Sequence, residues 1–189
     1  MALPDVLPRP RKLTYDDYVL IPEDGQRHEI LDGEHYVTPS PFTPHQGISS
    51  KLHIRLGSWI ERHRLGHLYA APLNVVLSPH DIAQPDLLFI SNERAGIITR
   101  KNIQGAPDLV VEILSASTRR RDEGIKLERY ERLGVPEYWM FDPAPRTAKV
   151  YRRDGERLVL AAGLSAGAGD LLTTPLLPGL EIRLSEIFP

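Results

Sequence analysis

"DLVVEILSAS", residues 108–117, places a charge inside what reads as a buried strand. Val110, Val111, Ile113 and Leu114 form a near-continuous apolar run of the kind that is covered on both faces, and Glu112 sits among them. An ionised carboxylate in an apolar interior costs several kcal/mol unless a cation, a metal ion or a set of hydrogen bonds compensates it. Strand alternation puts Asp108, Val110, Glu112 and Leu114 on one face, and Leu109, Val111 and Ile113 on the other. Glu112 therefore points with apolar neighbours. What compensates it is the question that decides the function.

The chain that follows offers one answer. A helix is expected from about Ser117 or Thr118 to Leu133, stopped by Gly134-Val135-Pro136. At about 100° per residue, Leu127, Tyr130 and Leu133 define its apolar arc. Lys126 falls inside that arc, whereas Glu128, Arg129, Glu131 and Arg132 fall outside it. Lysine is scarce here, five against eighteen arginines among 23 basic residues, so an inward lysine is notable. A buried Lys is as costly as a buried Glu unless the two answer each other. Asp86 opens the short strand "QPDLLFI" and can bring a second carboxylate to the same place. Two converging carboxylates repel unless a proton or cation lies between them, and oxygen donors without cysteine suit Mg²⁺ or Mn²⁺. The plainer alternatives are a structural pairing of Glu112 with an arginine and a turn role for Asp86.

The remaining chain reads as α/β. "LTYDDYVLIP" is a short helix with Thr14 as N-cap, and "RHEILDGEHYVT" is a hairpin around Asp32-Gly33. A longer helix begins with Thr43 as N-cap and Pro44 in its first turn, and buries Ile48, Leu52, Leu56 and Trp59. "HLYAAPLNVVL" is extended, "EYWMFD" is a strand, and "KVYRR" and "RLVLAA" make a second hairpin around Asp154-Gly155. The 189 residues fit one domain, 1–189, with residues 1–12 as an extended arm. The expected fold is a mixed central sheet flanked by two main helices, with an N-terminal hairpin and a C-terminal β-hairpin added.

Bulk properties exclude several classes. There is no cysteine, which removes thiolate zinc sites and cysteine nucleophiles. No apolar run has the length of a signal peptide or membrane span, so a cytoplasmic location and no membrane partner are expected. A net charge of −2 argues against a binder held to nucleic acid by overall charge, though not against a local basic surface. Phosphate-cradling motifs of the G-x-x-x-x-G-K-[ST] and G-x-G-x-x-G types are absent from the sequence.

"QPDLLFI", "PDLVVEILSASTRRRDEGIKLERYERLGVPEYWMFDP" and "HEILDGE" together resemble the Uma family of restriction-endonuclease-like proteins, within the PD-(D/E)XK nuclease superfamily. The likeness runs from about Leu13 to the C-terminus, and its specific part is 107–143. It implies the restriction-endonuclease-like core and a metal-dependent endonuclease that hydrolyses phosphodiester bonds, with DNA expected before RNA. It implies Asp86 and Glu112 as ligands of Mg²⁺ or Mn²⁺ and as catalytic residues. The superfamily lysine should stand two residues after Glu112, where this chain has Leu114. Lys126 is its stand-in, a lysine moved to the helix. Glu29 matches an acidic residue brought from an N-terminal element. In-line attack would leave a 5′-phosphate and a 3′-hydroxyl.

Two further residues are candidates for substrate binding. His45 lies on the Ile48–Leu52–Leu56 face of its helix and can look into the same cleft, or else serve as a core or capping histidine. Arg119, first of Arg119-Arg120-Arg121, puts positive charge at a helix start, against the macrodipole. That suits phosphate contact, or a solvated run paired with Asp122 and Glu123. The rival to the enzyme is a catalytically inactive relic of the fold that binds nucleic acid or protein. A third reading is a dimerisation module built on the C-terminal hairpin, giving a homodimer.

Overall fold

The computed structural model describes residues 11–188. Most of the arm expected over residues 1–12 lies outside them. The short helix α1 (Tyr15–Tyr18) starts at Thr14 with a capping box, its side chain and that of Asp17 each accepting from the other's backbone N–H. The hairpin β1 (Arg27–Leu31) and β2 (Glu34–Thr38) turns at Asp32 and Gly33, both with positive φ, 51° and 81°. That is the geometry Asp-Gly supplies at little cost.

Helix α2 (Thr43–His63) begins one residue earlier than Thr43 as cap requires. Phe42 occupies the N-cap position, where it offers no side-chain hydrogen bond, and Thr43 is already helical. Its fully buried stripe is Ile48, Leu52, Leu56 and Ile60, with Trp59 at the margin. The extended run after it divides between β3 (Gly66–Ala70) and β4 (Val75–Ser78), which join different sheets. Then come β5 (Asp81–Ala83), β6 (Leu87–Ser91), the two-residue β7 (Ile103–Gln104) and β8 (Leu109–Ile113).

The second helical stretch, residues 119–132, is composite. Arg119–Arg121 is α-helical, Asp122–Lys126 is π-helical and Leu127–Arg132 is α-helical again. The strands β9 (Glu137–Asp142), β10 (Thr147–Asp154) and β11 (Arg157–Ser165) follow, and a short pair, β12 (Leu171–Leu172) and β13 (Ile182–Arg183), closes the chain.

The main sheet has six strands in the order β11-β10-β9-β8-β6-β3, mixed because β8 and β9 run parallel while its other pairs are antiparallel. The N-terminal hairpin is part of a second, five-stranded sheet, β2-β1-β5-β4-β7. This goes beyond the single added hairpin expected from sequence. The parity of β8 holds. Leu109, Val111 and Ile113 pack with Ile48, Leu52 and Leu56 of α2. Val110 and Leu114 pack with Tyr130, Tyr138 and Met140 on the other side. Glu112 belongs to that second face, between the composite helix and the hairpin.

Candidate functional site

Glu112 is met there by Lys126, whose Nζ donates to Oε1 at 2.7 Å, and by the Tyr130 hydroxyl, which donates to the same oxygen at 3.0 Å. Lys126 is only 2 % exposed and serves more than one carboxylate. Its Nζ lies 2.9 Å from Glu29 Oε1 and 3.5 Å from Asp122 Oδ1. Glu29 arrives on β1, on the same strand face as Arg27, and its Oε1 also accepts the Gln84 N–H. One ammonium is thus shared by three buried carboxylates.

Asp86 completes the group from the edge of β6. The β6–β8 ladder ends at Leu87 opposite Val111, and the Asp86 carboxylate accepts the Ile113 N–H that the ladder leaves over, at 2.8 Å. His45 Nε2 lies 3.0 Å from the same Oδ2, and Arg27 donates to Oδ1 at 3.0 Å. Asp86, His45, Glu112 and Lys126 all line one cavity of about 70 Å³. The residues expected from sequence to carry the chemistry, Asp86, Glu112, Lys126 and Glu29, are therefore in one cluster with His45 beside them. Arg119 is not. It lies outside the cavity lining, with its guanidinium held bidentately by Asp142 at 2.5 and 2.7 Å. The arginines that do line the cavity are Arg27 and Arg121.

The electrostatics divide the carboxylates. Burial works to raise the pKa of Asp86, but His45, Arg27 and the Ile113 amide outweigh it and hold the group at about 2. Burial likewise opposes ionisation of Glu29, and Lys126, Arg121 and the Gln84 amide reverse it, so its pKa is lowered. Glu112 goes the other way. Burial, with the charges of Asp122, Asp86 and Glu29 behind it, overcomes Lys126 and lifts Glu112 to about 8. Asp122 is also raised, by burial first. Lys126 stays charged, because its three acidic neighbours outweigh its own burial. Glu112 and Asp122 are the two carboxylates whose burial their cations do not outweigh.

Sequence reasoning missed several members. Asp122 is one turn before Lys126, at i, i+4, so a helical wheel drawn backward from the lysine would have found it. Arg27 is two residues before Glu29 and shares its strand face. Tyr130 was placed in the apolar arc, and its ring does pack there, but its hydroxyl reaches Glu112. Arg129, expected outside the arc, is buried against Asp81. The buried residues of this stretch, Asp122, Lys126, Arg129 and Tyr130, fall at i, i+4, i+7 and i+8 on one helical face, so it is the charge of Arg129 and not its position that reads as outward.

The donor set can be tested against a divalent ion. Among the described residues no group of three or more His, Asp or Glu is arranged to hold a metal ion. The Asp86–Glu112 pair is a different case. Among the described residues, the hydrogen bonds to Glu112 both end on Oε1, and none ends on Oε2. Asp86 accepts three donors, and a carboxylate has about four lone-pair sites. Among the described residues, the buried Asp122 Oδ1 has no hydrogen-bond partner. Hard oxygen donors and a spare site on each carboxylate fit Mg²⁺ or Mn²⁺, which binds through one or two carboxylates and completes its shell with water and substrate phosphate.

Comparison with known proteins agrees with this architecture. Residues 15–185 match the model of the Uma2 family, described as "Putative restriction endonuclease". Among solved structures, the chain is similar to a crystal structure titled as a putative nuclease belonging to DUF820 from Anabaena variabilis ATCC 29413. The two share 21 % identity over 93 % of this chain and 97 % of that one, with a TM-score of 0.75, which establishes a common fold. No curated protein matches. With all but its ends spanned by the family model, the chain belongs to the Uma2 family.

Proposed function

We propose that this chain is a metal-dependent endonuclease that hydrolyses phosphodiester bonds of nucleic acid, with Asp86, Glu112, Lys126 and Glu29 as its catalytic group. The observation that carries the reading is geometric: Asp86, Glu112 and Lys126 line one buried cavity, with Lys126 Nζ 2.7 Å from Glu112 and 2.9 Å from Glu29. Bound at Asp86 and Glu112, Mg²⁺ or Mn²⁺ would supply Lewis acidity toward the phosphate and lower the pKa of a coordinated water.

The chain's own residues do the rest. Lys126, fixed by Glu112 and Glu29, presents a cation that offsets charge developing on the phosphate and orients the attacking water. Glu29 holds that lysine in place. Arg27 and His45 orient Asp86, and Arg121 stands at the cavity wall as a phosphate contact in the place expected of Arg119. DNA is the substrate we favour within this reading, on family membership. The inactive relic is the weaker alternative, because pairing Glu112 with Lys126 does not require Asp122 and Glu29 beside them.

The test is cleavage of labelled DNA and RNA in Mg²⁺, in Mn²⁺ and in chelator. We expect metal-dependent cutting with 5′-phosphate and 3′-hydroxyl ends. No cleavage of either polymer in either metal would overturn the reading in favour of the relic.

A further inference from the structure

We propose that the cleft takes single-stranded polynucleotide, DNA or RNA, and that Phe42 is the platform on which one base stacks while its phosphate enters the cavity. The inference rests on the phosphodiester-cleaving reading of the same site and names its substrate class.

Depth is the first reason. Asp86, Glu112 and Lys126 are 5 %, 3 % and 2 % exposed, so the reacting phosphorus must come in below the protein surface. The cavity at that point is about 70 Å³, against roughly 300–1,000 Å³ for a pocket that swallows a whole small molecule. It has room for a phosphate group and a few waters, not for a nucleotide. Sugars and bases must stay outside, in two wider spaces that share its walls. One is about 410 Å³ and meets it at Arg27, His45 and Asp86. The other is about 610 Å³ and meets it at Ser117 and Arg121. A cleft that is wide, narrow and wide again suits one strand with its backbone pinched at the centre.

The roof is the second reason. Residues 39–42, Pro39-Ser40-Pro41-Phe42, join β2 to α2 and line the cavity. Two prolines fix φ at alternate positions and keep this strap stiff. A single strand can bend its backbone past such a strap into a cavity of this size more readily than a stiff duplex can.

Phe42 is the third. It is 79 % exposed although it sits on the rim of a buried, charged cavity. As N-cap of α2 it serves the helix through its backbone carbonyl, which accepts the Gln46 N–H, and its side chain makes no capping hydrogen bond. An aromatic face at the mouth of a cleft with Arg27 and Arg121 on its walls and exposed Arg120 beyond is the pairing of stacking surface and cations by which proteins hold single strands.

The experiment measures equilibrium binding of the full chain to fluorescein-labelled single strands, as oligothymidylate, oligouridylate and one mixed sequence, and to the duplex of that mixed sequence. Fluorescence anisotropy is read with Ca²⁺ as the divalent ion, for wild type, Phe42→Ala and Phe42→Trp. We expect single strands to bind at least tenfold more tightly than duplex. Phe42→Ala should weaken single-strand binding roughly 5- to 150-fold, the equivalent of one stacked base. Phe42→Trp should retain it. Whether DNA or RNA binds more tightly identifies the sugar preferred. Equal binding of duplex, or unchanged single-strand affinity in Phe42→Ala, overturns the proposal, as does absence of binding to every strand. Duplex cleavage in Mg²⁺ without single-strand preference would sink this inference and leave the endonuclease standing. Phe42-dependent single-strand binding without cleavage would do the reverse.

Discussion

Two buried acid–base groups lie on the composite helix, one turn apart, and they are built differently. Asp81 is fully buried, and its carboxylate accepts Arg129 Nε and Nη2 at 2.8 and 2.7 Å, the Ser78 hydroxyl at 2.5 Å and the Asp32 N–H at 2.8 Å. Every acceptor position is filled, and one cation meets one principal anion. Burial works against the Asp81 carboxylate, but the bonds from Arg129 and Ser78 win and lower its pKa. At Lys126 one ammonium meets three carboxylates, with Arg121 3.7 Å from Glu29; among the described residues Asp122 Oδ1 has no hydrogen bond, and the group opens onto a cavity. A buried pair that is complete holds a fold together. A buried cluster that is incomplete and reachable is a place for something else to bind.

The largest difference should appear on removing each cation. Arg129→Met strands Asp81 among atoms that cannot replace the guanidinium, and the protein should lose about 3–5 kcal/mol in denaturant unfolding, unchanged by Mn²⁺. Lys126→Met should lose less, since its carboxylates can take protons through the cavity. Mn²⁺ should restore much of that loss, while cleavage stays at least about a hundredfold below wild type. Equal losses in the two variants, both indifferent to metal, would erase the distinction.

The pH dependence should differ in sign. Asp81 has its pKa lowered on folding, so its contribution is present above its unfolded value of 3.8 and fades as acid protonates the folded carboxylate. Glu112 is raised from 4.5 to about 8, so the folded protein binds more protons than the unfolded chain across that window. Its contribution is present below 4.5 and is lost as pH rises toward 8. Metal-free wild type should therefore lose stability between those values, and Glu112→Gln should show a flatter profile. A wild-type profile that rises with pH over that range would contradict the assignment.

A smaller effect is expected at Asp122. Asp122→Asn removes one surplus charge from the cluster, and should raise metal-free stability by about 0.5–2 kcal/mol. Loss of stability instead would mean that Asp122 completes the lysine's shell as Asp81 completes that of Arg129.

Much of this contrast can be read in the sequence, but not all of it. Period-two alternation turned Glu112 inward, and a helical wheel turned Lys126 inward, because burial of a strand and of a helix face are local patterns. Asp32-Gly33 announced its hairpin because few other pairs take positive φ at both positions. Arg129 sits on the same helical face as Asp122 and Lys126, but a charged side chain at the edge of an apolar arc reads as solvated unless its partner is known. The partner Asp81 lies 48 residues away on β5 of the five-stranded sheet, and no local pattern links the two. Arg119 looked like a phosphate contact for its place at a helix start, while its partner Asp142 ends a strand that only the fold brings near. Long-range pairing of polar groups is what one chain read alone conceals.

The central claim is that the Lys126 cluster is built to take a divalent cation at Glu112, and thermal unfolding in Mn²⁺ tests it most directly. At ten times its dissociation constant a ligand stabilises by about 1.4 kcal/mol, a rise of roughly 3–6 °C in Tm for a chain of this length. Wild type should show that rise at millimolar Mn²⁺, and Glu112→Gln should not. No rise in wild type, or the same rise in both proteins, would contradict the account and leave Lys126 as a structural counter-ion alone.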